Sequence, residues 1–591
     1  STLVFSAEKV AAAAPADGTI LVVPAGYVTI DGGLYAIINA ELTAQVDPVF
    51  YQDVHNDKLG KWGNGHAAAF IARAPMTDGL PHVIGRYQPE TVVDLATLLD
   101  RAAELGIDRD ALAQEVDGYF GRSILDMRQD SHGWVHGLYA IVILAVQRPA
   151  SLVGSPGRSV EVLPYVVRYE LNAQSLLERN ATVHPAFHAH ALSPELLART
   201  SGIPYAATSQ PLVVLGCGSV GSKVAMQLGR AGFGSMTFVD NEPMSPHNAA
   251  RHALIERASV LVPPRKSALM KTAFESLSHL QSRAFDTDAV TLLVDPEQFA
   301  ATVPQDAALI VDATASLQVL AAETQSAALD QSPARLARIA MYGQGRCVAV
   351  LLEGAGRAGR VDDLTAFLFE CCRFAPELRA SIAGETSEPT RIFVGDNCHS
   401  LTMPMSDAVV SRSTSLAGLQ LERWLVDGLP KEATLCAGIS DAEGLGMAWT
   451  RASLGPTTAL EVADDGGWNI RVLSPVAQAI HADALRWGAL ETGGALIGRI
   501  SFENRTITIA GLVEAPPDSV REAARFVLGT NGLVQNLRAA NAASLGYLAF
   551  IGTWHSHPKG GAHSGIDRNT LRGIAEDAGG LPAVSLVWTP T

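Results

Sequence analysis

A chain of 591 residues, 48% hydrophobic and 18% charged, is globular and long enough for three or four domains; this composition argues against disorder. A net charge of −16 argues against nucleic-acid and anionic-membrane partners, either of which asks for a clustered positive surface. Six Cys, none before Cys217 and without paired metal spacing, read as thiols of a reducing cytoplasm. The longest apolar run, Leu138 to Val146, falls far short of the roughly 18 residues of a membrane helix, so a soluble cytoplasmic protein is expected.

In chain order, residues 1–205 alternate β-type runs (Thr19 to Val23, Leu34 to Asn39, Tyr139 to Val146, Val160 to Val167) with helical segments such as Pro89 to Ala103. That alternation predicts an α+β domain. Residues 206–435 read as repeated βαβ, predicting a mostly parallel, Rossmann-like sheet with its ligand at the C-terminal strand ends. The stretch 436–467 is rich in Gly, Pro and Asp and reads as a linker, and 468–591 as a further α/β domain.

The first chemical signal is PLVVLGCGSVGSKVAMQLGRAGFGSMTFVDNEPMSPHNAARH, from Pro211 to His252. A buried-strand run, the glycine turn Gly216, Gly218 and Gly221, and an apolar helix stripe of Val220, Val224 and Leu228 lead to Asp240 at the end of a second strand. The glycines permit a tight turn and close approach to phosphate, the helix start offers N–H groups, and an acid so placed can hold a ribose hydroxyl. In this glycine-rich composition roughly 0.4 such triplets arise by chance, so the turn alone decides little. Asp240, Asn248, Arg251 and Lys266 together resemble the ThiF/MoeB and ubiquitin-activating-enzyme superfamily.

The resemblance implies that Asp240 holds the ATP ribose, that Asn248, Arg251 and Lys266 contact the phosphates, and that the chain forms a homodimer through this domain. Arg suits bidentate phosphate binding and Lys a mobile point charge. Asp312, ending the strand run from Ala308, is expected to touch the ligand; the superfamily's second acid, a magnesium ligand three residues on, is replaced here by Ala315, so Mg²⁺ coordination falls to Asp312 or is weaker than usual. Cys398 in GDNCHSLTMPMSDA resembles the acceptor thiol of activating enzymes, which sits on a loop before a later helix. Cys371 and Cys372, among apolar neighbours, read as core thiols. By analogy of architecture residues 1–205 suggest a ubiquitin-conjugating-enzyme-like module, but one without a Cys, so either degenerate or of another fold.

The second signal lies in ETGGALIG, from Glu491 to Gly498, and GTWHSHPKGGAHSGID, which supplies His555, His557, Ser564 and Asp567. Two His and one Asp suit a catalytic Zn²⁺ whose fourth position is left for water. Alternation in HSH puts both imidazoles on one side of a strand end. The expected number of such matches by chance is on the order of 0.002, so this pattern is specific. It resembles the JAMM (JAB1/MPN-type) metalloproteases, with one residue fewer between His557 and Ser564 than usual. The resemblance implies His555, His557 and Asp567 as zinc ligands, Glu491 as general acid/base and Ser564 as oxyanion stabiliser. His563 reads as an exposed loop residue.

Both resemblances converge on the C-terminal glycine of a ubiquitin-like, β-grasp protein, activated at one site with ATP and released at the other, as in bacterial ubiquitin-like modification and antiphage operons. A separate conjugating enzyme is a further expected partner. The alternatives are sulfur-carrier activation for cofactor or cysteine synthesis and a non-catalytic scaffold.

Overall fold

Five parallel strands dominate the centre of the chain, and the three inner ones nearest the glycine turn are short runs buried at every position. In the computed structural model they stand in the order Arg283–Phe285, Met236–Val239, Leu212–Leu215, Leu309–Asp312 and Arg335–Tyr342. Three antiparallel strands, Cys347–Leu352, Ala433–Ser440 and Met447–Leu454, complete this sheet. The order reverses between Leu212–Leu215 and Leu309–Asp312, and at such a switch point the crevice beyond the strand ends is open to a ligand. The structure describes the chain except residues 1, 31–32, 39–41, 43–64, 128–137, 154–156, 173–174, 189–191, 256–262, 385–391, 394–400, 403, 463–466 and 591.

The chain divides into two compact units, Ser1–Thr200 and Ser201–Thr591. The first is an eight-stranded mixed sheet from Ser175–Pro185 at one edge to Phe187–His188 at the other. Period-two alternation explains its two cores. Phe70, Val142 and Leu144 face the helices Leu95–Glu104 and Arg109–Met127 through Leu98, Leu112, Val116 and Phe120, while Ile71, Ile141 and Ile143 face Phe5 and Val10 on the other side. The helix expected from Pro89 starts at Leu95, because Asp94 and Thr97 form a reciprocal capping box there.

The expected linker at 436–467 is corrected by the structure. Two of its strands belong to the central sheet and a third, Thr458–Glu461, opens the next one. The Gly- and Asp-rich stretch is the tight turn between them, in which Asp441 accepts from Leu445 N at 3.0 Å and Gly446 N at 2.6 Å.

The last sheet runs Thr458–Glu461, Asn469–Val472, Thr506–Glu514, Gly493–Ser501, Ala549–Ser556, Val584–Trp588. Between it and the central sheet lies the helix Val361–Phe374, and a single core cluster spans both, joining Leu351, Leu364 and Leu368 to Ile509 and Trp554. Asp363, fully buried, accepts from Arg471 Nε of the last sheet at 2.8 Å and from Arg471 Nη2. Phe369 stacks on Tyr547 at 4.1 Å. A Cβ on Gly511 would sit 2.4 Å from Glu370 Oε1, so a larger residue there would have to displace the Glu370 carboxylate from its place beside Arg373. Asp363→Ala strands the Arg471 guanidinium in the seam and is expected to cost about 3 kcal/mol, read as a lowered urea midpoint.

Cys371 and Cys372 lie in this helix, where burial pushes their thiols up to about 11 and about 12; they are core groups. Among the described residues no helix is long and apolar enough to cross a membrane.

Candidate functional site

Two constellations occupy the second unit. The first begins where Leu212–Leu215 ends. Gly216 has φ +84°, and a Cβ there would stand 2.9 Å from Thr314 Cγ2. At Gly221 a Cβ would fall 1.9 Å from the Gly216 carbonyl oxygen, so this glycine serves helix-to-turn packing. Among the described residues nothing lies within 4 Å of a Cβ on Gly218, which borders open space there. The helix Ser219–Arg230 starts there with no side chain capping its first amides. An open glycine between two closed ones, at an uncapped helix start, fits a phosphate.

The other expected residues converge on this turn. Asp240 Oδ2 accepts from Cys217 N at 2.7 Å and Oδ1 from Glu242 N at 2.8 Å. Burial raises its pKa, opposed by nearby Lys266. Lys266, almost fully buried, reaches Glu242 Oε2 at 2.5 Å, and the next residue ties the helix to the strand end through Ser267 Oγ to Asp240 O at 3.0 Å. Asn248 sits in the turn Pro246–Ala250, where its Oδ1 accepts from Ser245 N at 2.9 Å. Its carbonyl accepts from Arg251 N at 3.0 Å, so Asn248 and Arg251 share one rigid turn.

Asp312 departs from expectation. It is fully buried; Oδ1 accepts from Thr314 N at 2.8 Å and Thr314 Oγ1 at 2.6 Å, and Oδ2 pairs with Arg338 Nη1. Arg338 also lies 3.4 Å from Glu323 Oε2, whose pKa burial raises well above normal. A carboxylate so enclosed does not present an oxygen to an ion, and the Mg²⁺ role expected of Asp312 does not fit. Ala315 beside it stands at φ +55°. Cys398 lies outside the described residues.

The second constellation is built at a strand end. Ala549–Ser556 is flanked by Gly493–Ser501 and Val584–Trp588, placing His555 opposite Gly493 on one side and Val587 on the other. A Cβ on Gly493 would meet the Trp554 carbonyl at 2.3 Å, so glycine is needed directly after Glu491 and Thr492. His557 N donates to Trp588 O at 2.8 Å, and the chain turns back through Gly560 and Gly561, both at positive φ, which accommodates the short loop. Ser564 caps the helix Gly565–Asp577: its Oγ accepts from Asp567 N at 3.2 Å, while its own N donates to Asp567 Oδ2 at 2.6 Å.

That capping box delivers Asp567 to the two imidazoles. His555 Nε2 lies 3.0 Å from His557 Nε2 and 3.3 Å from Asp567 Oδ1, and His557 Nε2 lies 3.8 Å from Asp567 Oδ2. Donors about 2.1 Å from a tetrahedral Zn²⁺ stand roughly 3.4 Å apart, so the trio fits that ion. Burial lowers the His555 pKa, opposed by Asp567 and reinforced by His557 and His563, a direction that favours the neutral, ligating imidazole. Glu491, half-buried, has its pKa raised by burial; it feels His557 and Asp567 but is not one of the metal-grouped residues. His563 is turned to Ser585 O at 3.0 Å.

Sequence reading missed Arg338, Glu242 and His252. Arg338 is separated from Asp312 by a full crossover, and only the parallel pairing of their strands brings them together. His252 was legible as the residue after Arg251, but its contacts were not.

Comparison with known proteins agrees with this division. Residues 205–354 match the ThiF family and residues 473–591 the prokaryotic homologs of the JAB domain. A CD-NTase/cGAS isopeptidase of Enterobacter hormaechei subsp. hoffmannii is 31% identical over 134 residues, 22% of this chain and 73% of that protein. The "uncharacterized protein y4oA" of Sinorhizobium fredii is 29% identical over 137 residues, 22% of this chain and 23% of that protein. Crystal structures of E. coli MccB with succinimide and with ATP align over 44% of this chain and 70% of theirs, at 12% and 13% identity, each with a TM-score of 0.31. The chain therefore belongs to the ThiF family over residues 205–354 and to the prokaryotic JAB homologs over residues 473–591, an adenylyltransferase-type and an isopeptidase-type domain in one polypeptide.

Proposed function

We propose that this chain adenylates the C-terminal glycine of a ubiquitin-like protein and hydrolyses peptide or isopeptide bonds formed after that glycine. The observation that carries the reading is the His555–His557–Asp567 trio at zinc spacing, folded in the same unit as a glycine turn open at Gly218. At the first site the glycine carboxylate attacks the α-phosphorus of ATP; the bond to pyrophosphate breaks and an acyl-adenylate forms. Asp240 accepts the ribose hydroxyls with its remaining lone pairs, and Asn248, Arg251 and Lys266 meet the phosphate charge.

At the second site bound zinc would supply hydroxide at neutral pH. Glu491 takes the proton from the attacking water and returns it to the leaving amine. Ser564, whose Oγ accepts from Asp567 N at the helix start, would turn its hydroxyl from the Asp567 carboxylate to the oxyanion as charge develops there. The support is the donor geometry together with a relative that is itself named an isopeptidase. The pathway is a bacterial ubiquitin-like modification system, antiphage systems among them; it operates in the cytoplasm, with the chain as a homodimer and conjugation passing to a separate enzyme.

The test is direct: the purified chain, with a β-grasp protein from its own operon, should exchange pyrophosphate into ATP and cleave that protein fused through its C-terminal glycine. Burial of Asp312 against Arg338 favours one rival, a scaffold with a dead nucleotide site. Tight partner binding without exchange would establish it.

A further inference from the structure

The glycine turn is held from two sides at one residue. Cys217 N donates to Asp240 Oδ2 at 2.7 Å, and Cys217 O faces His252 Nε2 at 2.9 Å. His252 is 6% exposed. The Cys217 carbonyl can only accept, so the neutral ring that bonds it carries its proton on Nε2, and Nδ1, 3.2 Å from Leu254 O, then accepts from Leu254 N at 3.0 Å. Burial, with Lys266 and Lys223 nearby, disfavours a second proton on the ring. The following residue is pinned to the same helix start, Ala253 N donating to Ser222 Oγ at 3.1 Å.

Two consequences follow from elementary geometry. Cys217 C=O and Gly218 N–H belong to one planar trans peptide and point in opposite directions. Fixing the carbonyl on His252 turns the Gly218 N–H away from the ring, on the residue that borders open space. Second, His252 directly follows Arg251, so the bond that aims the Gly218 amide also fixes the backbone from which Arg251 extends. Resting on the adenylation reading above, we infer that His252 is a positioning residue: it latches the Asn248–Arg251 turn onto the glycine turn and sets the Gly218 amide and the Arg251 side chain together against the nucleotide phosphates. Nothing in this role requires the imidazole to touch ATP.

The experiment measures ATP affinity of the full chain by calorimetry, well below its melting temperature, for His252→Leu, His252→Gln, Arg251→Ala and Arg251→Ala/His252→Leu. Leu fills the volume but removes the donor; Gln restores an N–H at the position of Nε2. His252→Leu is expected to weaken ATP about tenfold, the effect of one lost hydrogen bond with its aim. His252→Gln should stay within about threefold of wild type. In the Arg251→Ala background the His252→Leu effect should shrink, because the two residues act on one contact set. A simply structural histidine would lower the melting temperature in both His variants without this pattern. Wild-type affinity in His252→Leu, or full additivity with Arg251→Ala, overturns the inference while leaving adenylation intact; failure of wild type to bind ATP overturns the adenylation reading and the latch with it.

Discussion

Glu491→Ala is expected to retain its zinc and lose cleavage of a carrier fused through its C-terminal glycine by about 10²- to 10⁴-fold, the range for removing a general base. The structure separates the two properties. Glu491 lies outside the His555–His557–Asp567 group, and burial raises the pKa of its half-buried carboxyl, as the proposed acid/base role requires. His555→Ala takes away one of three protein donors and should lose metal and activity together. Zinc measured by atomic absorption beside the cleavage assay decides it: normal cleavage by Glu491→Ala would remove the isopeptidase mechanism, and a metal-free wild type would favour the scaffold.

Arg251→Ala should lower pyrophosphate exchange by roughly 10²-fold, the order for one contact to developing transition-state charge. Asp240→Ala should do at least as much, because it also releases Cys217 N and Glu242 N, and should raise the KM for ATP. Fusion cleavage by the same two proteins should be unchanged, since neither residue contributes to the zinc trio. If both variants exchange pyrophosphate as wild type does, adenylation is not the reaction of this site.

What could be read from the chain beforehand was local. The glycine turn, the strand ahead of it and the HSH strand end are set by residues within about ten positions of one another, and their spacing encodes their geometry. Longer-range relations were opaque. The pairing of Asp312 with Arg338 depends on two strands becoming neighbours, and a sequence shows Asp312 only as an acid at a strand end. The turn residues Asp441 to Gly446 hid two strands, because punctuation of a hairpin and composition of a linker look alike when the partner Cys347–Leu352 lies far upstream. Capping at Asp94 shifted a helix start by several residues for a similarly local reason that the apolar pattern did not show.

The helix Val361–Phe374 carries a consequence for how this protein tolerates being divided. With Leu364 and Leu368 in a core shared by two sheets, and Asp363 bonded to Arg471, neither half owns a finished boundary. A fragment beginning near residue 468 would expose Ile509 and its neighbours to water, and the remainder would keep a buried carboxylate without its guanidinium. Melting of residues 201–591 should therefore appear as one cooperative transition, and separating the two sheets at residue 468 is expected to yield two insoluble fragments.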